Sequence, residues 1–235
     1  MGKLIAIEGV DASGKETQSA LLYENLKRKY TKVRKVRFPD YESISSGLVR
    51  MYLRGDFGTD PQAVDPYIAS TFYAGDRYAS YWTDWKKDYE AEGGIILADR
   101  YTTANAIHQA AKLDTEQEKE KFLAWLSDYE YGLYGLPKPD LVIFLHMPLY
   151  KIRSILAERG NKVEGGAERD IHEKNDAFME RSYYNALYVA EKLKFSIISC
   201  ERDGKIRSIG IPAQATDKFL VVFRLKPHLS RPELP

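Results

Sequence analysis

A glycine-rich segment directly after a short apolar run is the strongest constraint on this chain. The run Leu4-Ile5-Ala6-Ile7 predicts a buried strand, and residues 9–17, GVDASGKET, match the phosphate-binding pattern G-x-x-x-x-G-K-[ST] at every position except Glu16. Gly9 and Gly14 allow backbone N–H groups to surround phosphate oxygens, and Lys15 reaches the β- and γ-phosphates. A plain glycine turn is the alternative interpretation, but the strand before and the helix after it favour a nucleotide site.

Length and composition narrow the class of protein. The 235 residues suit one large domain or two small ones, and no linker separates two. The net charge is +1, with Lys and Arg spread along the chain, which argues against a nucleic-acid partner. One cysteine, Cys200, rules out an internal disulfide framework and suits a reducing compartment. We expect a soluble cytoplasmic protein without a membrane span or signal peptide.

Strand-like and helix-like segments alternate, which predicts an α/β fold with a parallel sheet covered by helices on both faces. The predicted strands are Lys3–Ile7, Lys35–Phe38, Ile95–Ala98, Leu141–His146 and Phe195–Ser199. The predicted helices are Glu16–Lys29, Asp65–Glu90, Glu116–Tyr131 and Glu173–Lys192. The charged, glycine-containing stretch Glu158–Asp170 predicts a mobile loop. We expect one domain over residues 1–210 and an irregular tail over 211–235, with a possible strand at Phe219–Phe223.

Polar residues follow the predicted second and third strands, at the sheet edge where ligands bind in open α/β folds. Asp99 and Arg100 follow the third strand, where Arg100 could neutralise charge during phosphoryl transfer, or the two could simply form an ion pair that caps the strand. Phe38-Pro39-Asp40-Tyr41 follows the second strand. Tyr73 and Arg77 share one helix face, which suits a base and a phosphate, although a surface cation–π pair is the simpler interpretation.

Several segments together resemble the thymidylate kinase family and occur in its order from Lys3 to about Cys200. They are IEGVDASGKETQ, RFPDY, MYLRGDFG, ASTFYAGDRYASYW, LADRYTTANAIHQ, EYGLYGLPKPDLVIFL and RDIHEK. The resemblance implies the P-loop nucleoside monophosphate kinase fold, with a five-stranded parallel sheet and helices on both faces. It is closest to the bacterial branch with a basic lid, because Ala12 and Ser13 stand where the other branch has an Arg.

The resemblance assigns roles to individual residues. The ATP site would be the phosphate loop: Gly9, Val10, Asp11, Ala12, Ser13, Gly14, Lys15, Glu16 and Thr17. The acceptor site would contain Asp11, Phe38, Pro39, Tyr41, Tyr73, Arg77, Asp99, Arg100, Asn105, His108 and Gln109. Within it, Tyr73 would stack on thymine, Asn105 would bond its edge, and Arg77 and Arg100 would grip the acceptor phosphate.

The implied catalytic residues are Asp11, Lys15, Arg100, Arg159 and Arg169. Arg159, Lys162 and Arg169 would belong to a lid over about residues 158–172, with Asp170 and Glu173 at its edge. His108 takes a position where the family often has Tyr against the 2′ carbon of the sugar.

This sequence departs from the family pattern at several positions. Glu16 replaces the hydroxyl that normally helps to hold Mg²⁺, so the metal would depend on Glu16 and Asp11. Ala104 replaces a usual Ser, and His146 replaces a usual Asp at a strand end. The amphipathic helix expected after Ser208 is not evident in the sequence.

The implied activity is phosphorylation of dTMP to dTDP by ATP and Mg²⁺ in dTTP synthesis, by a homodimer. Two alternatives remain at this point. One is another nucleoside or nucleotide kinase, and the other is a nucleotide-binding regulator that has lost catalysis because of Glu16. A substrate panel that includes dTMP, dUMP, dCMP, AMP and thymidine separates them.

Overall fold

A five-stranded parallel sheet, with strand order β2-β3-β1-β4-β5, forms the centre of the molecule. The computed structural model describes residues 1–162, 171–172 and 175–207, and gives the backbone alone for 159–162. The strands are β1 Lys3–Glu8, β2 Val33–Arg37, β3 Ile95–Asp99, β4 Leu141–His146 and β5 Ser196–Ser199. A two-stranded antiparallel hairpin follows, formed by β6 Glu201–Arg202 and β7 Lys205–Ile206. The predicted five-stranded parallel sheet is confirmed.

Helices connect successive strands of the sheet. They are α1 Lys15–Lys27, α2 Gly47–Arg54, α3 Pro66–Ser80, α4 Lys86–Glu90, α5 Thr102–His108, α6 Glu116–Ser127, α7 Leu149–Lys162 and α8 Asp176–Lys192. Two π-helical segments, Tyr81–Trp85 and Asp128–Leu133, continue α3 and α6. No helix in the described ranges combines the length and apolar character needed to cross a membrane.

Side chains of β1 alternate between two apolar layers, because successive residues of a strand point to opposite faces of the sheet. Ile5 and Ile7 pack in a cluster with Leu22 and Leu26 of α1. Leu4 and Ala6 pack in a separate cluster that contains Trp85 and other aromatic residues of the long α3–α4 region. The sheet therefore has helical cover on both faces, as predicted, and its inner strands are apolar throughout for that reason.

The five predicted strands of the sheet all exist, with ends that differ by at most two residues. The predicted helix Asp65–Glu90 is continuous except that residues Tyr81–Trp85 widen into a π turn, which places Trp85 in the core with no exposed surface. Asp65 caps its first turn by accepting from the N–H groups of Tyr67 and Ile68, and Pro66 occupies the first helical position.

The expectation that a loop begins at Glu158 is wrong, because α7 continues to Lys162. A glycine inside a helix costs only about 1 kcal/mol relative to alanine, so Gly160 does not end a helix whose earlier turns are packed. In those turns Ile152 is buried, and Ile155 and Leu156 pack against the same apolar cluster that holds α8. The rest of the predicted loop, the tail over 211–235 and its possible strand lie outside the described residues.

Candidate functional site

The phosphate loop connects the end of β1 to the start of α1, and its glycines are required by its geometry. A Cβ atom on Gly9 would lie 2.6 Å from Ser13 Oγ and 2.9 Å from the Leu145 carbonyl oxygen, so no larger residue fits. Gly14 has a φ of 81°, the left-handed region that glycine adopts without strain. The loop therefore brings its backbone N–H groups close together at the N-terminus of α1, as anion binding requires.

Lys15 is buried beneath this loop, where its Nζ donates to the Val10 carbonyl oxygen at 2.8 Å. Burial and repulsion by Arg100 lower the pKa of Lys15 to about 8. The carboxylates of Asp11, Asp99 and Glu8 oppose this shift by favouring the charged amine. A bound phosphate would do the same, so the site is suited to an anion.

Asp11 and Arg100 form the ion pair that connects the loop to β3. The distance from Arg100 NH2 to Asp11 Oδ1 is 2.6 Å, and Lys15 Nζ lies 3.9 Å from the same oxygen. Burial alone would raise the pKa of Asp11, but Arg100 and Lys15 hold it well below its usual range. The alternative interpretation paired Asp99 with Arg100 at the strand end, but the two side chains contact other partners: Arg100 pairs with Asp11, and Asp99 accepts from Ser19 Oγ at 3.1 Å.

A pocket opens beside Arg100 and contains most of the predicted acceptor residues. Asp11, Phe38, Pro39, Tyr41, Tyr73, Arg77, Arg100, Asn105, His108 and Gln109 all line it, as does Ala104. His108 Nε2 lies 2.9 Å from Arg100 NH1, and the His108 ring stacks on His172 with a centroid distance of 6.2 Å. Gln109 is 1% exposed, and its Oε1 has no hydrogen-bond partner within the described residues. The pocket thus combines aromatic walls with buried polar groups.

Arg77 is held by a buried partner that was not predicted from the sequence. Its Nε and NH2 donate to the two carboxylate oxygens of Glu130 at 2.7 and 2.6 Å, and both side chains are fully buried. Asn105 Nδ2 contacts the same carboxylate at 3.3 Å and the Ser70 carbonyl oxygen at 3.2 Å. Two of the three guanidinium nitrogens of Arg77 are therefore occupied beside Asn105, so this geometry does not favour a phosphate fork formed with Arg100.

A second, polar pocket lies over the phosphate loop. Its walls include Asp11, Ala12, Gly14, Lys15, Glu16 and Thr17 from the loop and Arg37, Phe38, Pro39, Tyr41, Asp99 and Arg100 from the ends of β2 and β3. Asp99 therefore lines this pocket, and not the acceptor pocket to which it was assigned. Five residues, Asp11, Phe38, Pro39, Tyr41 and Arg100, belong to both pockets.

Three carboxylates, those of Asp11, Glu16 and Asp99, line this second pocket, which suits Mg²⁺ because that ion prefers oxygen ligands shared with phosphate and water. The Glu16 side chain is 77% exposed, and its Oε1 lies 3.5 Å from Arg37 NH1. In the described part of the chain, no three His, Cys, Asp or Glu side chains are grouped closely enough to bind a metal without other ligands. The carboxylates of the pocket and a bound phosphate would together supply the kind of oxygen ligands that Mg²⁺ prefers.

Several predicted residues fall where the structure gives no side chain. Arg159 and Lys162 lie on the last turns of α7, of which only the backbone is described, and Arg169, Asp170 and Glu173 lie outside the described residues.

Other residues singled out in the sequence have side chains that pack within the protein. Ser13 and Val10 are buried in the loop. His146, at the end of β4, contacts the hydroxyl of Tyr183 at 3.0 Å. That contact gives the residue a packing role within the chain.

Sequence reasoning missed Glu130 and His172. Glu130 follows a helix rich in charged residues, so nothing in the local sequence distinguishes it from a solvent-exposed acid. The sequence contains only an indirect indication of Glu130: if Arg77 lines a buried pocket, its charge needs a buried acid as a partner. His172 belongs to the RDIHEK segment and reaches the acceptor pocket, where its Nε2 contacts Tyr52 Oη at 2.9 Å.

Comparison with known proteins agrees with this geometry. A model of the family described as thymidylate kinase matches residues 7–207. The thymidylate kinase of Mycobacterium tuberculosis is 31% identical over 179 residues, which cover 74% of this chain and 77% of that protein. Human thymidylate kinase is 30% identical over 182 residues, covering 77% of this chain and 73% of that protein.

A solved structure of the thymidylate kinase of Candida albicans shares the fold. Its TM-score is 0.61 at 23% sequence identity, and the match covers 95% of this chain and 91% of the other. The family match spans both pockets and every strand of the sheet except the first residues of β1. The chain therefore belongs to the thymidylate kinase family.

Proposed function

We propose that this protein transfers the γ-phosphoryl group of ATP to dTMP, giving dTDP and ADP. The observation that carries this proposal is the pair of adjoining pockets with Asp11 and Arg100 in the wall between them. One pocket is polar and lies over the phosphate loop, as the triphosphate of ATP requires. The other has aromatic walls and buried polar groups, as a nucleoside monophosphate requires.

The base end of the acceptor pocket favours thymine. Asn105 Nδ2 is occupied by Ser70 and Glu130, which leaves its Oδ1 to accept a hydrogen bond, as N3–H of thymine would supply. Cytosine has an unprotonated N3, which is an acceptor, so N3 and Asn105 Oδ1 would face each other with no hydrogen between them. Tyr73 would stack on the base, and Arg77, held by Glu130, would contact the same end of the pocket. This proposal for Arg77 differs from the role that the family resemblance implies, which is to grip the acceptor phosphate.

At the other end of the pocket, Arg100 would hold the acceptor phosphate. A phosphate oxygen of dTMP attacks the γ-phosphorus of ATP, and the bond from that phosphorus to the β–γ bridging oxygen breaks in line. Lys15 and the N-terminus of α1 would hold the β- and γ-phosphates, and Arg100 would neutralise charge on the group in transit. No covalent enzyme intermediate is needed, because positioning and charge neutralisation supply the catalysis.

Asp11 and Glu16 would hold Mg²⁺, together with the phosphates, in the polar pocket that they line with Asp99. When bound, Mg²⁺ would supply positive charge that offsets the negative charge of the phosphates. Because the Glu16 side chain is longer than that of the usual Ser or Thr, its carboxylate would hold the ion through a water. Arg159 and Arg169 would add positive charge to the triphosphate, a role that rests on the family resemblance.

Exposed apolar residues on neighbouring helices support a homodimer. Ile44, Leu48 and Met51 are exposed before and along α2, at 94%, 49% and 36%. Tyr78 near the end of α3 and Trp82 in the π-helical segment that follows are also exposed. Large apolar side chains grouped on adjoining elements mark protein–protein contacts. A second copy of this chain is the partner that we propose.

The substrate panel tests the activity directly. ADP release is measured with ATP and Mg²⁺ against dTMP, dUMP, dCMP, AMP and thymidine. We expect the highest kcat/KM with dTMP and poor turnover of dCMP and thymidine. A preference for AMP or thymidine would indicate another kinase. Nucleotide binding without turnover of any acceptor would indicate a regulator.

A further inference from the structure

The last residue of β1, Glu8, is a fully buried acid that lies directly before the phosphate loop. Its Oε1 accepts two hydrogen bonds from the segment that follows β3. Tyr101 N donates at 2.9 Å, and Thr103 Oγ1 donates at 2.6 Å. Neither substrate pocket is lined by Glu8. The acid therefore connects the first strand to the start of α5 and needs a separate explanation.

The residue between β3 and Tyr101 is Arg100, and its backbone is strained. Arg100 has a φ of 63°, the left-handed region that side chains other than glycine seldom adopt. Such conformations persist where surrounding contacts determine them, and they are concentrated at functional sites. Here the contacts are on both sides of the residue: Arg100 N donates to the Ile7 carbonyl oxygen at 3.0 Å, and the next N–H, that of Tyr101, donates to Glu8.

The second oxygen of Glu8, Oε2, is buried and has no hydrogen-bond partner among the described residues. Burial raises the pKa of Glu8, while Arg100, Thr103, Tyr101 and Lys15 oppose that rise. An acid with one unpaired oxygen is costly to bury, so a purely structural role is poorly served by this arrangement. What Glu8 does make is the contact that fixes the peptide bond after Arg100.

We propose that Glu8 is a positioning residue for Arg100: by accepting the hydrogen bond of Tyr101 N, it holds the strained backbone that directs the Arg100 guanidinium to the acceptor phosphate. The inference rests on the proposed function for its kinetic consequences. Its structural content, the fixed conformation at Arg100, is independent of any substrate.

Two conservative variants show whether Glu8 acts through the length of its side chain or through its charge. Glu8→Gln keeps the length and an acceptor oxygen but removes the charge, whereas Glu8→Asp keeps the charge but is one methylene too short to reach Tyr101 N. If Glu8 acts as an anchor, Glu8→Gln keeps kcat within about threefold of wild type and Glu8→Asp lowers it on the order of tenfold. The opposite order, with Glu8→Gln the more damaged protein, would mean that Glu8 contributes its charge and would overturn the proposal.

A double-mutant cycle tests whether the effect passes through Arg100. In an Arg100→Ala background the side chain to be positioned is gone, so adding Glu8→Asp should change kcat by less than about twofold. If Glu8→Asp lowered kcat as much in that background as in wild type, Glu8 would act through another residue, such as Lys15, and the proposal would fail. Val189→Ala is the control for lost stability, because it leaves a cavity where the buried Val189 of α8 packs in the core. Its effect on kcat should be additive with that of Arg100→Ala.

The amide of Tyr101 provides a readout without substrate. Its hydrogen exchange should be slow in wild type and Glu8→Gln and faster in Glu8→Asp, and equal rates in all three would contradict the anchor. This measurement also distinguishes the two hypotheses, since a wild-type protein that does not phosphorylate dTMP refutes the function but leaves the exchange result standing. If Glu8→Asp does not fold, Thr103→Val replaces it, with an expected loss in kcat of about threefold; an unchanged kcat there would refute the proposal.

Discussion

Arg100 lies in the wall of both pockets and contacts Asp11 and His108. In the proposed mechanism its guanidinium would bridge the acceptor phosphate and the group in transit, and this interaction would strengthen as negative charge shifts in the transition state. We expect Arg100→Ala to lower kcat on the order of 10³-fold, with a smaller change in dTMP affinity.

Steady-state kinetics with both substrates varied measures the two effects separately. Arg34→Ala is the matched control, since Arg34 pairs with Asp84 and Asp88 far from the pockets and should leave kcat unchanged. If KM for dTMP rose while kcat stayed constant, Arg100 would bind ground state and transition state equally, contrary to this assignment.

Glu16 is the residue in which this phosphate loop departs from the usual pattern. A carboxylate beside a triphosphate is tolerated when a cation or ordered water lies between them, and Mg²⁺ accepts both kinds of oxygen. We expect Glu16→Gln to raise the Mg²⁺ concentration needed for half-maximal rate. Turnover is measured against Mg²⁺ at saturating ATP and dTMP. Superimposable curves for the two proteins would leave Asp11 and the phosphates to hold the ion.

The buried pair of Arg77 and Glu130 should stabilise the fold as well as contribute to binding of the thymine base. Removing one partner leaves a buried charge without compensation, so Arg77→Met should lower the free energy of unfolding by about 3–5 kcal/mol. The double variant Arg77→Met/Glu130→Met should lose less, because no orphan charge remains. Urea denaturation measures both. Arg34, which is half-buried and paired with Asp84 and Asp88, provides the control, with a loss below about 1 kcal/mol for Arg34→Met. An equally small loss for Arg77→Met would show that the Arg77–Glu130 pair does not stabilise the fold.

Residues of the phosphate loop could be predicted because their chemistry depends on local spacing. Gly9, Gly14 and Lys15 are separated by a few positions, and the loop needs nothing from elsewhere to be recognised. Glu130 could not be predicted, since its burial depends on where α6 packs. Glu8 lies between these cases, because its position was evident from the sequence but its contact with Tyr101 required the pairing of β1 with β3.

At the level of elements, the strands were easier to predict than the ends of the helices. A parallel strand covered on both faces is apolar along its length, and this pattern is visible in β1, β3 and β4. Helix ends depend on packing that the sequence does not specify. Helix α7, in which Ile152 is buried, continues through the charged residues to Lys162, and the π turn at Tyr81–Trp85 places Trp85 in the core.

Helix α7 carries Arg159 near its end, and Arg169 follows it in the chain. The family resemblance gives both residues to the triphosphate, and we expect Arg169→Ala to lower kcat by about 10²-fold with little change in KM for dTMP. Steady-state kinetics on the variant measures this. Arg153→Ala, earlier on α7 and paired with Glu180 on the surface, is the control that should retain wild-type kcat. If both substitutions changed kcat equally little, Arg169 would not contact the triphosphate.

For the whole molecule, the exposed apolar residues of α2 predict a dimer. Replacing Leu48 with Glu puts a charge into that surface, and its burial would be costly without a partner. We expect the wild type to have the mass of a dimer by light scattering and Leu48→Glu to shift towards a monomer. Leu193→Glu, an exposed position at the end of α8, is the matched control and should remain dimeric. A monomeric wild type at micromolar concentration would refute the dimer.

The two pockets share five residues, so they are not thermodynamically independent. Arg100 pairs with Asp11, so a phosphate bound at Arg100 would compete with Asp11 for the guanidinium. If dTMP alters the affinity for ATP by some factor, ATP must alter the affinity for dTMP by the same factor, because the coupling free energy belongs to the pair of ligands. A change at the shared wall, such as Asp11→Asn, therefore alters this cooperativity as well as each separate affinity.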